Sequence, residues 1–119
     1  MNKKIIKYPI CESTNKTIKK IKKKEIIIMS DFQYNGKGKL NNAWKSEPYK
    51  NLTFSILLKP NFTIKKVFNI NAIILISIKK TLSKYINGKK IKIKWPNDVY
   101  YNKKKIAGIL IENIIKKKK

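Results

Sequence analysis

The chain has 119 residues, and 30 basic residues against 6 acidic ones give it a formal net charge of +24 at pH 7. A domain of this length hides roughly 65% of the surface of its extended chain, which allows one modest hydrophobic core. Every basic residue is Lys, and Ile and Asn are also abundant. These residues share A/T-rich codons, so a mutational bias of the genome towards A and T is enough to explain the positive charge. The alternative is that the charge serves binding to nucleic acid.

The numbers of cysteines and histidines and the length of the apolar stretches indicate where in the cell the protein works. Cys11 is the only cysteine and histidine is absent, which excludes an internal disulfide and argues against a structural zinc site. The longest apolar stretch, residues 72–78, contains Ser77 and is far shorter than the roughly 20 residues that cross a bilayer. We therefore expect a soluble, cytoplasmic protein without a membrane partner.

The first predicted elements are a short helix and a buried strand. A hydroxyl at Ser13 or Thr14 is suited to cap a helix that ends at the lysines of residues 22–24, because it accepts from the unpaired amides of the first turn. The Ile-rich residues 25–29 predict a strand, and residues 31–43, rich in Gly, Asn and Lys, predict a loop.

A second strand and a long helix follow. Residues 52–58 predict a strand that is closed by Pro60, which has no amide proton for a continuing ladder. Apolar residues then recur every three to four positions from Ile64 to Ile86, with Thr63 suited to the start of the helix and Gly88 to its C-terminal cap.

The remaining residues predict strands. Ile91, Ile93 and Trp95 alternate with lysines, as in a half-buried strand, and residues 99–101 and 106–111 then predict a hairpin around residues 102–104. The order helix, strand, loop, strand, helix, hairpin favours an α+β fold.

A glycine-lysine segment is the first candidate for chemistry. Gly36 and Gly38 let backbone amides approach a ligand closely, and Lys37 and Lys39 supply positive charge, so the segment suits an anion. A solvated loop explains the same four residues.

The second candidate runs from Lys94 through Trp95 and Pro96 to Asn97 and Asp98. Joining a carboxylate to a phosphate requires cations that neutralise two anions, which lysines and Mg²⁺ provide. The carboxylate of Asp98 can hold Mg²⁺, directly or through water, and Asn97 can orient it. A turn that simply ends a strand is the alternative.

These two segments, with Lys105 and the run from Ala107 to Glu112 behind them, resemble the biotin protein ligase family. Lys37 stands at an arginine of the family pattern, residues 40–42 replace a basic-glycine-basic stretch, and Tyr49 stands where the family has glycine. The other residues that carry the resemblance are Glu12, Ser13, Thr14, Asn15, Gln33, Gly36, Gly38, Trp44, Ser46, Pro48, Asn51, Leu52 and Ser55.

The resemblance implies a mixed sheet flanked by helices, a biotin/lipoate ligase-like catalytic domain related to class II aminoacyl-tRNA synthetases. It implies activation of biotin with ATP and Mg²⁺ to biotinyl-5'-AMP. Biotin then passes to a lysine of a biotin carboxyl carrier domain of acetyl-CoA carboxylase or a related carboxylase. Lipoate ligases share the fold but lack this pair of segments, so they rank second among enzymes.

The resemblance also implies roles for residues. Lys105 and Lys37 are the catalytic candidates, and Asp98 is the candidate metal ligand. The residues expected to bind the nucleotide are Lys37, Lys94, Asn97 and Asp98. The residues expected to bind biotin are Ser13, Thr14, Asn15, Gln33, Lys37, Gly38, Lys39 and Lys105.

Residues 1–119 correspond to the first portion of the family's catalytic domain, and we expect neither a helix-turn-helix domain nor a C-terminal barrel. A minimal ligase, a fragment of a longer or split gene, and a decayed product with little activity all fit this extent. The strand at residues 106–111 would have an exposed apolar edge, which predicts association into a homodimer. No specific nucleic acid is expected as a partner.

Overall fold

The computed structural model describes residues 4–21, 25–59 and 67–114. They fall into two compact units, Met1–Asn61 and Phe62–Lys119. The elements in chain order are β1 (Lys4–Tyr8), α1 (Thr14–Lys19), β2 (Ile26–Ser30), β3 (Gly36–Lys37), β4 (Ala43–Trp44), β5 (Thr53–Ile56), α2 (Val67–Leu82), β6 (Ile91–Lys94), β7 (Asp98–Tyr101) and β8 (Lys104–Gly108), with 3-10 turns at Lys39–Asn41 and Gly88–Lys90.

The first unit is built on a three-stranded mixed sheet in the order β1-β2-β5, in which β1 is parallel and β5 antiparallel to β2. Successive residues of β2 alternate between buried and half-buried, as the pleat requires when one face is covered. Ile26 and Ile28 form the core of this unit with Ile18 of α1. The predicted strand at residues 25–29 is confirmed within one residue, whereas β1 was not predicted.

The capping residue of α1 is Ser13, whose Oγ accepts a hydrogen bond of 3.0 Å from the amide of Lys16. This confirms the predicted start of the helix, since the hydroxyl satisfies one of the amides that a first turn leaves unpaired. The described helix ends at Lys19, and the predicted end at residues 22–24 lies outside the described residues.

The segment at residues 31–43, predicted to be a loop, contains regular structure. Strands β3 and β4 pair antiparallel around the 3-10 turn, with Gly36 opposite Trp44. The pairing is only two residues long, so it leaves no hydrophobic periodicity that a sequence could show.

The second unit packs α2 against a three-stranded antiparallel sheet in the order β6-β7-β8. Its core is Leu75 of α2, Ile91 of β6 and Val99 of β7. The predicted helix is confirmed from Val67 to Leu82, and the predictions at Pro60 and Thr63 lie outside the described residues.

Three boundaries in the second unit differ from prediction. Gly88 opens a 3-10 turn, capped by Asn87, and does not cap α2, which ends six residues earlier. The strand β6 stops at Lys94, and Trp95 is 46% exposed in the following turn. The last strand covers Lys104–Gly108, shifted towards the N-terminus because two residues suffice for the turn when Asn102 adopts a φ of 56°. The homodimer expected through the edge of this strand stays a prediction.

Within the described part of the chain, none of the helices combines the length and the apolar character that crossing a membrane requires.

Candidate functional site

The first unit holds a polar cradle where the start of α1 meets the segment after β2. Cys11 and Gln33 are bridged as in a parallel sheet, with amide-carbonyl hydrogen bonds of 3.0 Å on both sides of the bridge. The side-chain oxygen of Gln33 accepts a buried hydrogen bond of 3.1 Å from the amide of Thr14. Gln33 and the Ser13–Thr14 segment, predicted separately from the sequence, are therefore in direct contact.

A second set of contacts reaches this cradle from β5. The hydroxyl of Ser55 lies 2.7 Å from Oγ1 of Thr14 and also forms a hydrogen bond with Oδ1 of Asn15. Ser55 matched the sequence pattern, but only the structure shows its contact with the start of α1.

Gly36 makes room for the Gln33 side chain. A Cβ atom at Gly36 would lie 2.6 Å from the carbonyl oxygen of Trp44 and would overlap the Gln33 carboxamide. Contacts below 3.0 Å essentially never occur for a real Cβ, so any larger residue has to displace β4, Gln33 or both.

The hairpin formed by β3 and β4 presents lysines at an exposed tip. Lys37 and Lys39 are exposed, and the amide of Gly38 donates a hydrogen bond of 2.6 Å to the carbonyl of Asn42. Leu40, at the tip, is 86% exposed and adopts a φ of 58°. The tip therefore carries two cationic side chains and strained backbone at an almost fully exposed Leu40.

Glu12 connects α1 to the segment before β3 through its carboxylate. Its carboxylate lies 2.8 Å from the ammonium of Lys16 and accepts a hydrogen bond of 3.1 Å from the carboxamide of Asn35. These contacts, Lys16 first, hold the pKa of Glu12 below its ordinary value. Because the folded-state pKa is lowered, this connection stabilises the fold at neutral pH and is lost as the pH falls through that pKa.

Tyr49 has left-handed backbone, with a φ of 62°, at the position where the family pattern has glycine. Its side chain is 75% exposed, so little packing is lost on removing it. We expect Tyr49→Gly to raise the free energy of unfolding by about 0.5–1 kcal/mol, because relief of left-handed strain outweighs the entropy that glycine adds to the unfolded chain.

Urea unfolding measures the effect of Tyr49→Gly. Tyr34→Gly is the matched control, since Tyr34 is also exposed (62%) but is not among the residues with positive φ. The control should lose stability. A loss of stability in both variants would contradict the strain argument.

The second unit carries the other group of predicted residues on the polar face of its sheet. Lys94 and Asp98 are directly opposite each other in β6 and β7, on either side of a turn that contains a cis peptide bond between Trp95 and Pro96. The carbonyl of Asn97 accepts a hydrogen bond of 2.9 Å from the amide of Ile109. The turn is thus tied to the end of β8.

An irregularity in β8 brings Lys105 to the same face. Val99 pairs with Ala107 and Tyr100 pairs with Lys105, so Ile106 is an extra residue that opposes nothing in β7. In a regular strand, residues two positions apart face the same side, but the extra residue of a bulge changes this. Ala107 therefore packs in the core while Lys105 lies on the polar face.

Charge is concentrated on this face. The ammonium of Lys105 lies 2.8 Å from Oδ1 of Asp98, an atom that is itself inaccessible to solvent. The ammonium of Lys94 lies over the ring of Tyr100, 5.8 Å from its centre. The face therefore offers two cations, one paired with a carboxylate and one over an aromatic ring, which is an arrangement suited to a phosphate.

Metal binding by this face has a clear limit. Among the residues that the structure describes, no three or more His, Cys, Asp or Glu side chains lie close enough to hold a metal ion. Asp98 offers one carboxylate, and its buried oxygen is already beside Lys105. That donor set suits Mg²⁺ that arrives with a polyphosphate and keeps its waters, and does not suit a resident metal.

The predicted site residues therefore form two groups, one in each unit. Ser13, Thr14, Asn15 and Gln33 are connected through direct contacts, and Lys37, Gly38 and Lys39 follow them in the adjoining hairpin. In the second unit, Lys94, Asn97, Asp98 and Lys105 occupy one sheet face and the turn beside it.

Residues 8–119 match the model of the Biotin/lipoate A/B protein ligase family. The match spans most of the chain, so this protein belongs to that family, as the motifs predicted. The chain is 30% identical over 108 residues to the bifunctional ligase/repressor BirA of Escherichia coli K12, which covers 87% of this chain and 33% of the relative. For BirA of Bacillus subtilis 168 the identity is 26% over 116 residues, covering 94% and 35%. The chain thus spans about a third of the length of these curated relatives.

Solved structures agree on the fold. Biotin protein ligase from Aquifex aeolicus, in complex with biotin and ATP, gives a TM-score of 0.82 at 29% identity, covering 94% of this chain and 47% of that one. A biotin acetyl coenzyme A carboxylase synthetase from Helicobacter pylori with bound biotinylated ATP gives 0.72 at 25% identity, covering 95% and 56%. The predicted α+β catalytic fold of the family is confirmed.

Proposed function

We propose that the protein is a biotin protein ligase, which activates biotin with ATP and passes it to a lysine of a biotin carboxyl carrier domain of acetyl-CoA carboxylase or a related carboxylase. The observation that carries the proposal is the Lys105–Asp98 ion pair at 2.8 Å on the lysine-bearing face of the second unit. The Aquifex aeolicus neighbour, whose structure holds biotin and ATP, supports the same substrates.

In the first step, an oxygen of the biotin carboxylate forms a bond to the α-phosphorus of ATP while the bond to pyrophosphate breaks. Both reactants are anions, so the step is slow until cations neutralise the charge that builds between them. Lys105 is the catalytic cation in this proposal, and Lys94 with Asn97 and Asp98 forms the nucleotide side. If Mg²⁺ is bound with ATP, it would supply further positive charge, and Asp98 would offer one carboxylate to hold it.

The first unit supplies the biotin side. Biotin carries a cyclic urea, which has one strong acceptor and two N–H donors, and the cradle of Ser13, Thr14, Asn15 and Gln33 offers matching hydroxyl and amide groups. Lys37, Gly38 and Lys39 of the hairpin are assigned to the phosphate and carboxyl end of the intermediate, where Lys37 also acts as a catalytic cation. Holding the mixed anhydride there keeps it from water.

In the second step, the neutral amine of the carrier lysine forms a bond to the acyl carbon, and AMP leaves with the electrons of the broken anhydride bond. The attacking nitrogen loses its extra proton to solvent. No covalent bond to the protein is needed, so Cys11 has no role as a nucleophile. The reaction requires only orientation of the anhydride and stabilisation of the leaving phosphate.

The proposal predicts that the purified protein binds biotin, and binds it more tightly with ATP and Mg²⁺ present, because the adenylate joins the groups of both substrates in one ligand. Isothermal titration with biotin, with and without MgATP, measures this. Thermal unfolding in the same buffer establishes that the sample is folded. A folded sample that gives no heat with biotin would refute the proposed function and leave only family membership.

The lysine excess calls for a separate prediction. Tyr34, Tyr49 and Tyr85 are 62%, 75% and 79% exposed, so aromatic side chains reach the surface of this lysine-rich protein. We still expect binding to RNA or DNA to fall steeply and uniformly with salt, because release of counterions supplies nearly all of such affinity. Filter binding across salt concentrations with several unrelated sequences tests this, and selective binding of one sequence at physiological salt would contradict it.

A further inference from the structure

Ser55 is a polar residue buried in the sheet of the first unit. Its exposure is 7%, whereas its strand neighbours Phe54 and Ile56 are 48% and 45% exposed. Burial of a hydroxyl is unfavourable unless its hydrogen bonds are replaced. Ser55 replaces them with two side chains that begin α1.

The side chains of Thr14, Ser55 and Asn15 form a chain of hydrogen bonds in which each donor and acceptor can be assigned. The Ser55 hydroxyl has one proton, yet it lies within hydrogen-bonding distance of both Thr14 Oγ1 (2.7 Å) and Asn15 Oδ1. The carboxamide oxygen of Asn15 has no proton to give. Ser55 therefore donates to Asn15, and the Thr14 hydroxyl supplies the proton of the remaining bond. Each hydroxyl proton is committed, which fixes both side chains of α1.

The backbone of the same segment is held from the other side. The amide of Thr14 donates to Gln33, and the residue is only 4% exposed. Thr14 is thus fixed at its amide by one segment and at its hydroxyl by β5, while Asn15 is fixed at its carboxamide. Nothing else described in β5 is polar and buried, so Ser55 is the point at which this strand acts on the cradle.

We infer that Ser55 is a positioning residue for the biotin side, an inference that rests on the proposed function. Ser55 does not need to touch the ligand. It orients the Thr14 hydroxyl and the Asn15 carboxamide so that they distinguish the oxygen of a neutral cyclic urea from its N–H groups. Without Ser55 both side chains gain rotamers, and ordering them becomes a cost of binding.

The test compares biotin with 2-iminobiotin, in which an imine replaces the urea oxygen. For Ser55→Ala we expect the dissociation constant of biotin to rise about tenfold, the preference for biotin over 2-iminobiotin to shrink by a similar factor, and the affinity for MgATP alone to change less than twofold. Ser55→Thr keeps the hydroxyl and should restore most of the preference. Thr53→Ala, which removes another hydroxyl of β5, is the matched control and should leave the preference unchanged.

Thermal unfolding of every variant separates positioning from stability, because a purely structural role lowers the melting temperature without changing the preference between the two ligands. If Ser55→Ala does not fold, Ser55→Cys preserves the shape with a weaker hydrogen bond and should show a smaller shift in the same direction. Equal preference in wild type and in the folded Ser55 variants would overturn the inference while leaving the ligase proposal intact. Absence of biotin binding by the wild type would overturn both.

Discussion

Lys105→Ala is expected to slow formation of biotinyl-AMP by a hundredfold or more. The substitution removes an ammonium group from the place where negative charge develops, and one such electrostatic contact is worth about 3 kcal/mol in a transition state. It also leaves the carboxylate of Asp98 without the cation that lies 2.8 Å away. Biotin-dependent release of pyrophosphate measures the first step directly, and transfer to a purified carrier domain measures the second.

Lys103→Ala is the matched control, because Lys103 is an exposed lysine in the turn between β7 and β8 and its removal changes the net charge equally. It should retain nearly full activity. Asp98→Ala should weaken MgATP binding and leave biotin binding alone nearly intact, whereas Lys37→Ala should mainly hasten escape of the adenylate. Equal losses in both assays for Lys105, Asp98 and Lys37 variants would refute this division of roles.

Gly36→Ala is expected to destabilise the first unit by about 1–3 kcal/mol, in the range typical of overpacking, and to weaken biotin binding at the same time. The new methyl group would lie 2.6 Å from the carbonyl oxygen of Trp44 and would overlap the Gln33 carboxamide. Displacing that carboxamide breaks its hydrogen bond to the amide of Thr14. Urea unfolding and titration with biotin measure the two consequences.

Gly38→Ala separates this steric effect from a general intolerance of the hairpin. A Cβ at Gly38 would lie 3.5 Å from the carbonyl oxygen of Asn42, an ordinary contact, and the φ of −107° suits any residue. We expect its free energy of unfolding to stay within about 0.5 kcal/mol of wild type. Similar destabilisation by both alanines would show that the overlap at Gly36 is not the cause.

The elements that the sequence predicted well are those specified locally. The cap at Ser13, the Ile-rich β2 and the spacing in α2 each depend on residues within a few positions of one another. Strand β1 was missed because most of its five residues are exposed, and it becomes a strand only by pairing with β2 some twenty residues later. That pairing is a long-range property without a local pattern.

The candidate site likewise combines residues that short motifs predict with contacts between residues far apart in the sequence. The resemblance to the family predicted both groups of residues, and the structure brings members of each group together. The contact of Ser55 with Thr14 spans 41 positions and depends on the register of β5 against β2, which no spacing reveals. The left-handed backbone at Leu40 was likewise hidden, because the residue gives no sign of it.

The extra residue at Ile106 has a consequence for how this motif tolerates change. Lys105 and Ala107 face opposite sides of the sheet only because one unpaired residue lies between them. Substitution of Ile106 keeps this arrangement, and deletion of Ile106 would make Lys105 and Ala107 adjacent in a regular strand, where neighbours also face opposite sides. Pairing of Ile106 with Tyr100 would instead turn Lys105 towards the core. We therefore expect position 106 to accept different side chains provided that it stays unpaired, because the bulge, more than the residue in it, keeps the lysine on the same face as Asp98.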